Sequence, residues 1–160
     1  GIVGVGRQKK LCTMQTVLAE GKRVLERTFI AGCSFMVLHP DAGKGRLIIV
    51  YVAADNHLEV KEGVLGNLDP NKVGRGAAGV TLASKCLIRR FCTLAFYLKK
   101  GKARGQLVKS LCKHIRIICK GLDPDGAADE QLAARVMRWS WLPNIPYTCF
   151  TTNTDTPLEG

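Results

Sequence analysis

The sequence predicts an α+β fold in which a β-rich N-terminal half, with about four mainly antiparallel strands, packs against two or three C-terminal helices. Two patterns support this prediction. β-branched and aromatic residues broken by turn formers dominate residues 11–62, whereas apolar residues recur at three- and four-residue steps within residues 80–142. The length of 160 residues and the 46% hydrophobic content are typical of a single globular domain and argue against general disorder.

The beginning of the chain is predicted to contain an arm and a hairpin. Residues 1–10 are spaced by glycine and end in basic side chains, which favours a flexible arm. Residues 11–19 and 23–38 are rich in Val, Thr, Ile and Phe on either side of a Glu-Gly-Lys break, and this pattern predicts two paired strands. Residues 16–27 can alternatively form a short helix.

The run from Arg46 to Ala53 is the clearest strand pattern of the chain. Its apolar residues are nearly continuous, which predicts that both faces of the strand are covered. The segment from His57 to Lys61 alternates apolar and charged side chains and predicts a half-exposed strand. Residues 63–79 contain five glycines and a proline. We therefore expect a long irregular connection there, at the boundary between the two halves.

Beyond this connection the apolar period becomes helical. The spacing within residues 82–98 predicts a helix that Thr81 or Ser84 caps, although the alternation of its last residues leaves a strand open. The glycine-containing basic link at residues 99–105 is expected to end this element.

A second helix, Gln106 to Lys120, has the best amphipathic pattern, with an apolar side and a basic residue on every turn of the other side. Gly121 stands where a left-handed residue would end that helix. Asp125 is a plausible N-cap for a third helix over Ala127 to Trp139, whose acidic first turn and basic last turn suit the helix dipole. The polar tail, residues 151–160, is expected to be loose.

The charge of the chain is concentrated in one segment. The formal net charge is +11 with a pI near 9.6, and residues 83–120 contain eleven basic and no acidic side chains. A solubilising helix face normally mixes both signs, so this segment favours a polyanionic partner. We expect non-catalytic binding of nucleic acid, RNA ahead of DNA, through its backbone. The predicted contact residues are Arg89, Arg90, Lys99, Lys100, Lys102, Arg104, Lys109, Lys113, Arg116 and Lys120.

A nucleocapsid or coat subunit that packages a viral genome fits the size and the basic face. In such a homo-oligomer, Trp139 and Trp141 would belong to a partner surface, although the sequence favours closure of the core by these residues. The chain does not begin with Met, so we expect a processed product or a fragment. Alternatives are a protein that binds an anionic membrane or an acidic protein, a merely solvated face, and an enzyme with a Cys/His site.

Seven cysteines without regular spacing are typical of reduced, mostly buried thiols in a cytoplasmic or nuclear protein. Cys112 and Cys119 are expected on the buried side of the second helix. No cofactor is predicted, because Ala42-Gly43-Lys44-Gly45 lacks the outer glycine and the hydroxyl of a phosphate loop. No metal ion is predicted, because on a helix His114 would point away from Cys112, and Cys112 and Cys119 would lie about 10 Å apart along the axis. No run of apolar residues is long enough to span a membrane. An enzyme would have to pair a cysteine with His39, His57 or His114.

Overall fold

A computed structural model describes residues 2–43, 45–124 and 128–145, without the side chains of residues 2–13 and Trp139. The chain forms four helices and four strands in these ranges, which confirms the predicted α+β class. The elements, in chain order, are α1 (Ile2–Ala31), β1 (Cys33–Gly43), β2 (Arg46–Asp55), β3 (Val60–Leu68), α2 (Gly76–Ala95), α3 (Gly101–Ile118), β4 (Cys119–Leu122) and α4 (Ala128–Ser140).

The four strands form one mixed sheet with the order β3-β2-β1-β4. β1, β2 and β3 are antiparallel neighbours, as the sequence predicts, with Leu38 opposite Tyr51. β4 runs parallel to β1 and places Leu122 beside Leu38. The prediction that Gly121 adopts a left-handed cap is wrong. The chain instead turns extended at Cys119, and Gly121 lies within β4 because the edge of β1 supplies hydrogen-bond partners.

The predicted hairpin over residues 11–38 is wrong for its first three quarters, because a single helix, α1, runs from Ile2 to Ala31. The alternative helix over residues 16–27 is confirmed as part of α1. The prediction of a flexible arm over residues 1–10 is also wrong, because α1 includes this segment from Ile2 onward. The helix presents Arg23, Arg27 and Ile30 to the rest of the protein at three- and four-residue steps, and Ile30 is fully buried. Arg27 donates to the carbonyl of Ala95 over 2.7 Å. These long-range contacts outweigh the local strand preference of the Val- and Thr-rich sequence.

β2 confirms the strand over residues 46–53, but the prediction that both its faces are covered is wrong. Leu47, Ile49 and Tyr51 are buried on the inner face, against the helices. Tyr51 meets Phe91 of α2 edge-on, with 6.3 Å between the ring centroids. The outer face keeps three large apolar side chains partly exposed, namely Phe35 (45%), Ile48 (40%) and Val64 (43%).

The connection over residues 63–79 is more ordered than predicted. β3 extends through Leu68, a 3-10 turn follows at Pro70–Lys72, and α2 already begins at Gly76. Gly79 is required there, because a Cβ on it would lie 2.5 Å from the carbonyl oxygen of Gly74. The strand predicted over His57 to Lys61 is displaced, because β3 begins at Val60 and continues to Leu68.

α2 confirms the helix within residues 82–98 and excludes the strand alternative. Thr81 and Ser84 do not cap it, because their hydroxyls donate to the carbonyls of Ala77 and Val80 inside the helix.

Most of the link predicted at residues 99–105 belongs to α3, because this helix begins at Gly101. α4 confirms the third helix within one residue at each end. Its Glu130 is buried and accepts the backbone N–H of Ala42 over 2.7 Å, which ties α4 to the end of β1. Asp125 and residues 151–160 lie outside the described residues. Among the described helices, none combines the length and the apolar character needed to cross a membrane.

Candidate polyanion-binding site

An open cavity of about 820 Å³ lies between α2, α3 and the segment that follows α4. α2 and α3 pack against each other across a five-residue link, which brings the basic side of α3 next to the last turns of α2. The lining residues are Arg89, Thr93, Gly101, Arg104, Gly105, Val108, Lys109, Cys112, Lys113, Arg116 and Trp141.

The cavity is strongly electropositive. Five of its lining side chains are cationic, and no acidic residue lines it within the described chain. Lys109, Lys113 and Arg116 follow each other at four- and three-residue steps, so they share one side of α3. Arg89 faces them from α2. Cations that converge from two elements bind an anion better than the same charges spread over a surface.

Two of the arginines are held in place by the backbone. Arg104 donates from one terminal nitrogen to the carbonyl of Thr93 over 3.1 Å, which links the first turn of α3 to the last turn of α2. Arg116 donates from Nε to the carbonyl of Trp141 over 2.8 Å. The Nε–H of Arg104 is shielded from solvent and has no acceptor among the described residues. The terminal N–H groups of a guanidinium held in this way can bind an anion in the cavity with little further ordering.

Trp141 forms an aromatic wall of the cavity. It is half-buried, and the Arg116 guanidinium lies 5.2 Å from its ring centroid. The Lys85 ammonium lies 5.7 Å from the same centroid. Trp141 therefore packs partly against the core and partly against cations, whereas the side chain of Trp139 is outside the described residues. A partner surface formed by these tryptophans stays a prediction.

The cavity brings together half of the predicted contact residues. The other five lie outside its lining. Arg90, Lys99, Lys100 and Lys102 are exposed around the α2–α3 link, and Lys120 is half-exposed on β4. Their role in binding stays a prediction.

Cys112 is the member of the cavity that the sequence interpretation missed. Its expected position on the buried side of α3 is confirmed in part, because the half-buried thiol packs against the core and also lines the cavity. The neighbouring Cys92 thiol lowers the pKa of Cys112 below its ordinary value of 9.0, with help from the positive charges of Arg116 and Arg89 and against the effect of burial. The available signal was the spacing of Lys109, Cys112 and Arg116, which places a thiol between two cations on one side of a helix.

The three histidines lie elsewhere. His39 and Asp123 share a hydrogen bond of 3.0 Å on the exposed side of the sheet, and Nε2 of His114 lies 3.0 Å from the carbonyl oxygen of Ile30. His57 is exposed in the turn before β3. No hydrogen bond joins a histidine to a cysteine in the part of the chain described. The same residues contain no cluster of three His, Cys, Asp or Glu that could hold a metal ion.

Comparison with protein-family models, with characterised proteins and with solved structures finds no match. The proposals below therefore rest on the geometry and chemistry of this chain.

Proposed function

We propose that the protein binds nucleic acid without catalysing a reaction, and that RNA is its preferred ligand. The observation that carries this proposal is the convergence of five cationic side chains from α2 and α3 on a cavity with no acidic side chain among its described lining residues. Each phosphate that such side chains neutralise releases condensed counterions, which supplies most of the affinity of sequence-independent binding.

The dimensions of α3 support phosphate contacts. Lys109, Lys113 and Arg116 are separated by about one helical turn, roughly 5 to 6 Å along the axis, which is close to the distance between successive phosphates of an extended strand. One strand that follows the helix can therefore meet several cations in succession.

The aromatic wall favours a single strand. Trp141 offers a surface on which a base can stack beside the basic residues. A base can reach an indole inside a cavity only when it is unstacked from its own helix. Unpaired bases of this kind are what proteins recognise in RNA loops and ends, whereas a duplex keeps its bases inside.

The proposal is tested by binding of a random single-stranded RNA of about 12 nucleotides over a series of salt concentrations, since contacts to several phosphates make affinity fall steeply with salt. Vesicles with and without anionic lipid serve as competitors. Binding that weakens with salt and resists the vesicles supports RNA as the ligand. Absence of binding at low salt, or displacement by anionic vesicles at equal charge, contradicts it.

Packaging of a genome is the narrower form of this proposal and also requires copies of the chain to associate. Apolar side chains are exposed on the outer face of the sheet and along α1, where Met14, Leu18 and Leu25 are 60%, 70% and 74% exposed. Light scattering with and without RNA tests this form. A large particle that assembles with RNA supports packaging, and a monomer under both conditions removes it.

A further inference from the structure

We propose that Cys112 is a site of reversible covalent modification, at which an anionic disulfide of the glutathione class forms a mixed disulfide with the protein. The site consists of the half-buried Cys112 thiol in the wall of the basic cavity, the Cys92 thiol beside it, and the cations that line the same space. The reactivity of Cys112 does not depend on RNA binding. The expected consequence, loss of RNA binding upon modification, rests on the proposed function.

The surroundings of Cys112 favour the reactive thiolate. The nucleophile in thiol–disulfide exchange is the thiolate, and the most effective attacking thiol has a pKa near the ambient pH. The neighbouring Cys92 thiol and the positive charges of Arg116 and Arg89 lower the pKa of Cys112, whereas burial opposes them. The interaction with Cys112, together with burial, raises the pKa of Cys92, so Cys92 stays protonated.

The cavity determines which disulfide is favoured. Each half of glutathione disulfide carries two carboxylates and one ammonium group, so the molecule is a dianion at neutral pH. Five cationic side chains attract such a reagent and raise its local concentration. The volume of about 820 Å³ lies within the range of small-molecule sites, which leaves room for a bound tripeptide.

The exchange step is balanced without a further oxidant. Cys112 loses its proton to solvent, and its thiolate attacks one sulfur of glutathione disulfide. The disulfide bond of the reagent breaks as the bond from Cys112 to glutathione forms. The second glutathione leaves as a thiolate and takes up a proton from water. A free thiol in excess reverses the reaction by the same route.

The other described cysteines differ from Cys112 in exposure or surroundings. Burial raises the pKa of Cys33 to about 11 and that of Cys119 to about 12, so both stay protonated at neutral pH. Cys86 is exposed on α2 but is not among the residues that line the cavity. Cys86 is therefore the control for local charge, because it is an accessible thiol with Arg89 and Arg90 one helical turn away but outside the cavity.

The test is mass-spectrometric mapping of the full chain after treatment at pH 7 with limiting glutathione disulfide or with the uncharged 2-hydroxyethyl disulfide. We expect glutathione disulfide to modify Cys112 faster than Cys86, and the preference for the anionic reagent to be about tenfold greater at Cys112. Arg89→Gln should reduce that preference severalfold. Equal rates at the two cysteines, or equal preference for the two reagents, would overturn the proposal.

A second measurement separates reactivity from folding. The rate of Cys112 alkylation by uncharged iodoacetamide should rise with pH about a midpoint below the ordinary thiol value of 9.0, and Cys92→Ala should move this midpoint upward because the neighbouring thiol is lost. The circular dichroism spectrum shows whether the Cys92→Ala variant is folded like the wild type. If it is, and the midpoint is unchanged, the result contradicts the influence of Cys92 on Cys112. RNA binding is then compared between glutathione-treated wild type and treated Cys112→Ser. If untreated protein binds no RNA, the proposed function fails while the mapping of Cys112 still stands.

Discussion

The Nε of Arg116 lies 2.8 Å from the carbonyl oxygen of Trp141, and its guanidinium lies 5.2 Å from the centroid of the Trp141 ring. Arg116 therefore joins α3 to the segment that follows α4, in addition to lining the basic cavity. The sequence identifies Arg116 only as a phosphate contact. The structure adds a supporting role, because one side chain fixes both the aromatic wall and the position of its own charge.

Arg116→Ala should lower the free energy of unfolding by about 1 to 3 kcal/mol, because it removes a charged hydrogen bond and a cation–π contact from a half-buried position. Urea denaturation followed by far-ultraviolet circular dichroism measures this change. Lys113→Ala is the control, since an exposed lysine on the same helix should change stability by no more than about 0.5 kcal/mol. Equal stability of the two variants would contradict the supporting role of Arg116.

Gly21→Ala tests the helical assignment of α1. Gly21 lies inside α1, and a Cβ on it would have no atom within 4 Å apart from the helix itself and its chain neighbours. Alanine should therefore raise the free energy of unfolding by about 0.5 to 1 kcal/mol, since glycine is the poorer helix former. A hairpin turn at this position would instead lose stability with alanine. Thermal unfolding of the two proteins at matched concentration distinguishes these outcomes.

Tyr51→Phe tests how α1 is attached to the sheet. The Tyr51 hydroxyl donates to the Glu26 carboxylate, which also receives a hydrogen bond of 3.1 Å from Arg23. Removal of the hydroxyl should cost about 1 to 2 kcal/mol at neutral pH, because a half-buried carboxylate loses one of its donors. Chemical denaturation measures the loss, and a variant as stable as the wild type would show that the contact contributes little.

The same residue predicts a dependence on alkaline pH. Burial and the hydrogen bond to Glu26 raise the pKa of Tyr51 above its ordinary value of 10.0. The contribution of Tyr51 to the free energy of unfolding is fully present below pH 10. It is lost as the pH rises above 10, because Tyr51 then ionises in the unfolded chain but keeps its proton in the folded protein. The stability difference between wild type and Tyr51→Phe should therefore shrink as the pH rises above 10. A constant difference up to pH 11 contradicts this assignment.

The sequence predicts the elements whose pattern is local. The spacing of Leu87 and Phe91, the apolar run of β2 and the basic side of α3 each carry the period of their own element, and the structure confirms all three. α1 was predicted only as an alternative, over residues 16–27, because its helical state depends on partners such as Tyr51 and Ala95, which are distant in sequence. β4 was missed for the same reason, since four residues pair with a strand about 80 residues earlier.

The sequence predicts the positive charge of the candidate site, but it does not predict the cavity in which the charges converge. The sequence shows directly that residues 83–120 contain no acidic side chain. The helical spacing of Lys109, Lys113 and Arg116 also shows that these three residues are neighbours. The convergence of Arg89 with them depends on how α2 packs against α3. The contribution of Trp141 depends on where the chain passes after α4. Neither relation has a local sequence signal.

Removal of two charges from the cavity tests the central claim most directly. The salt dependence of binding to a random single-stranded RNA is measured for wild type, Lys109→Ala/Lys113→Ala, and Lys22→Ala/Lys72→Ala. The second double variant removes the same net charge as the first, but from exposed lysines of α1 and the 3-10 turn, which lie outside the cavity. We expect the cavity variant to reduce the slope of log affinity against log salt by about 0.7 for each lysine, and the control to leave it close to that of the wild type. Equal slopes for the two double variants would contradict binding in the cavity.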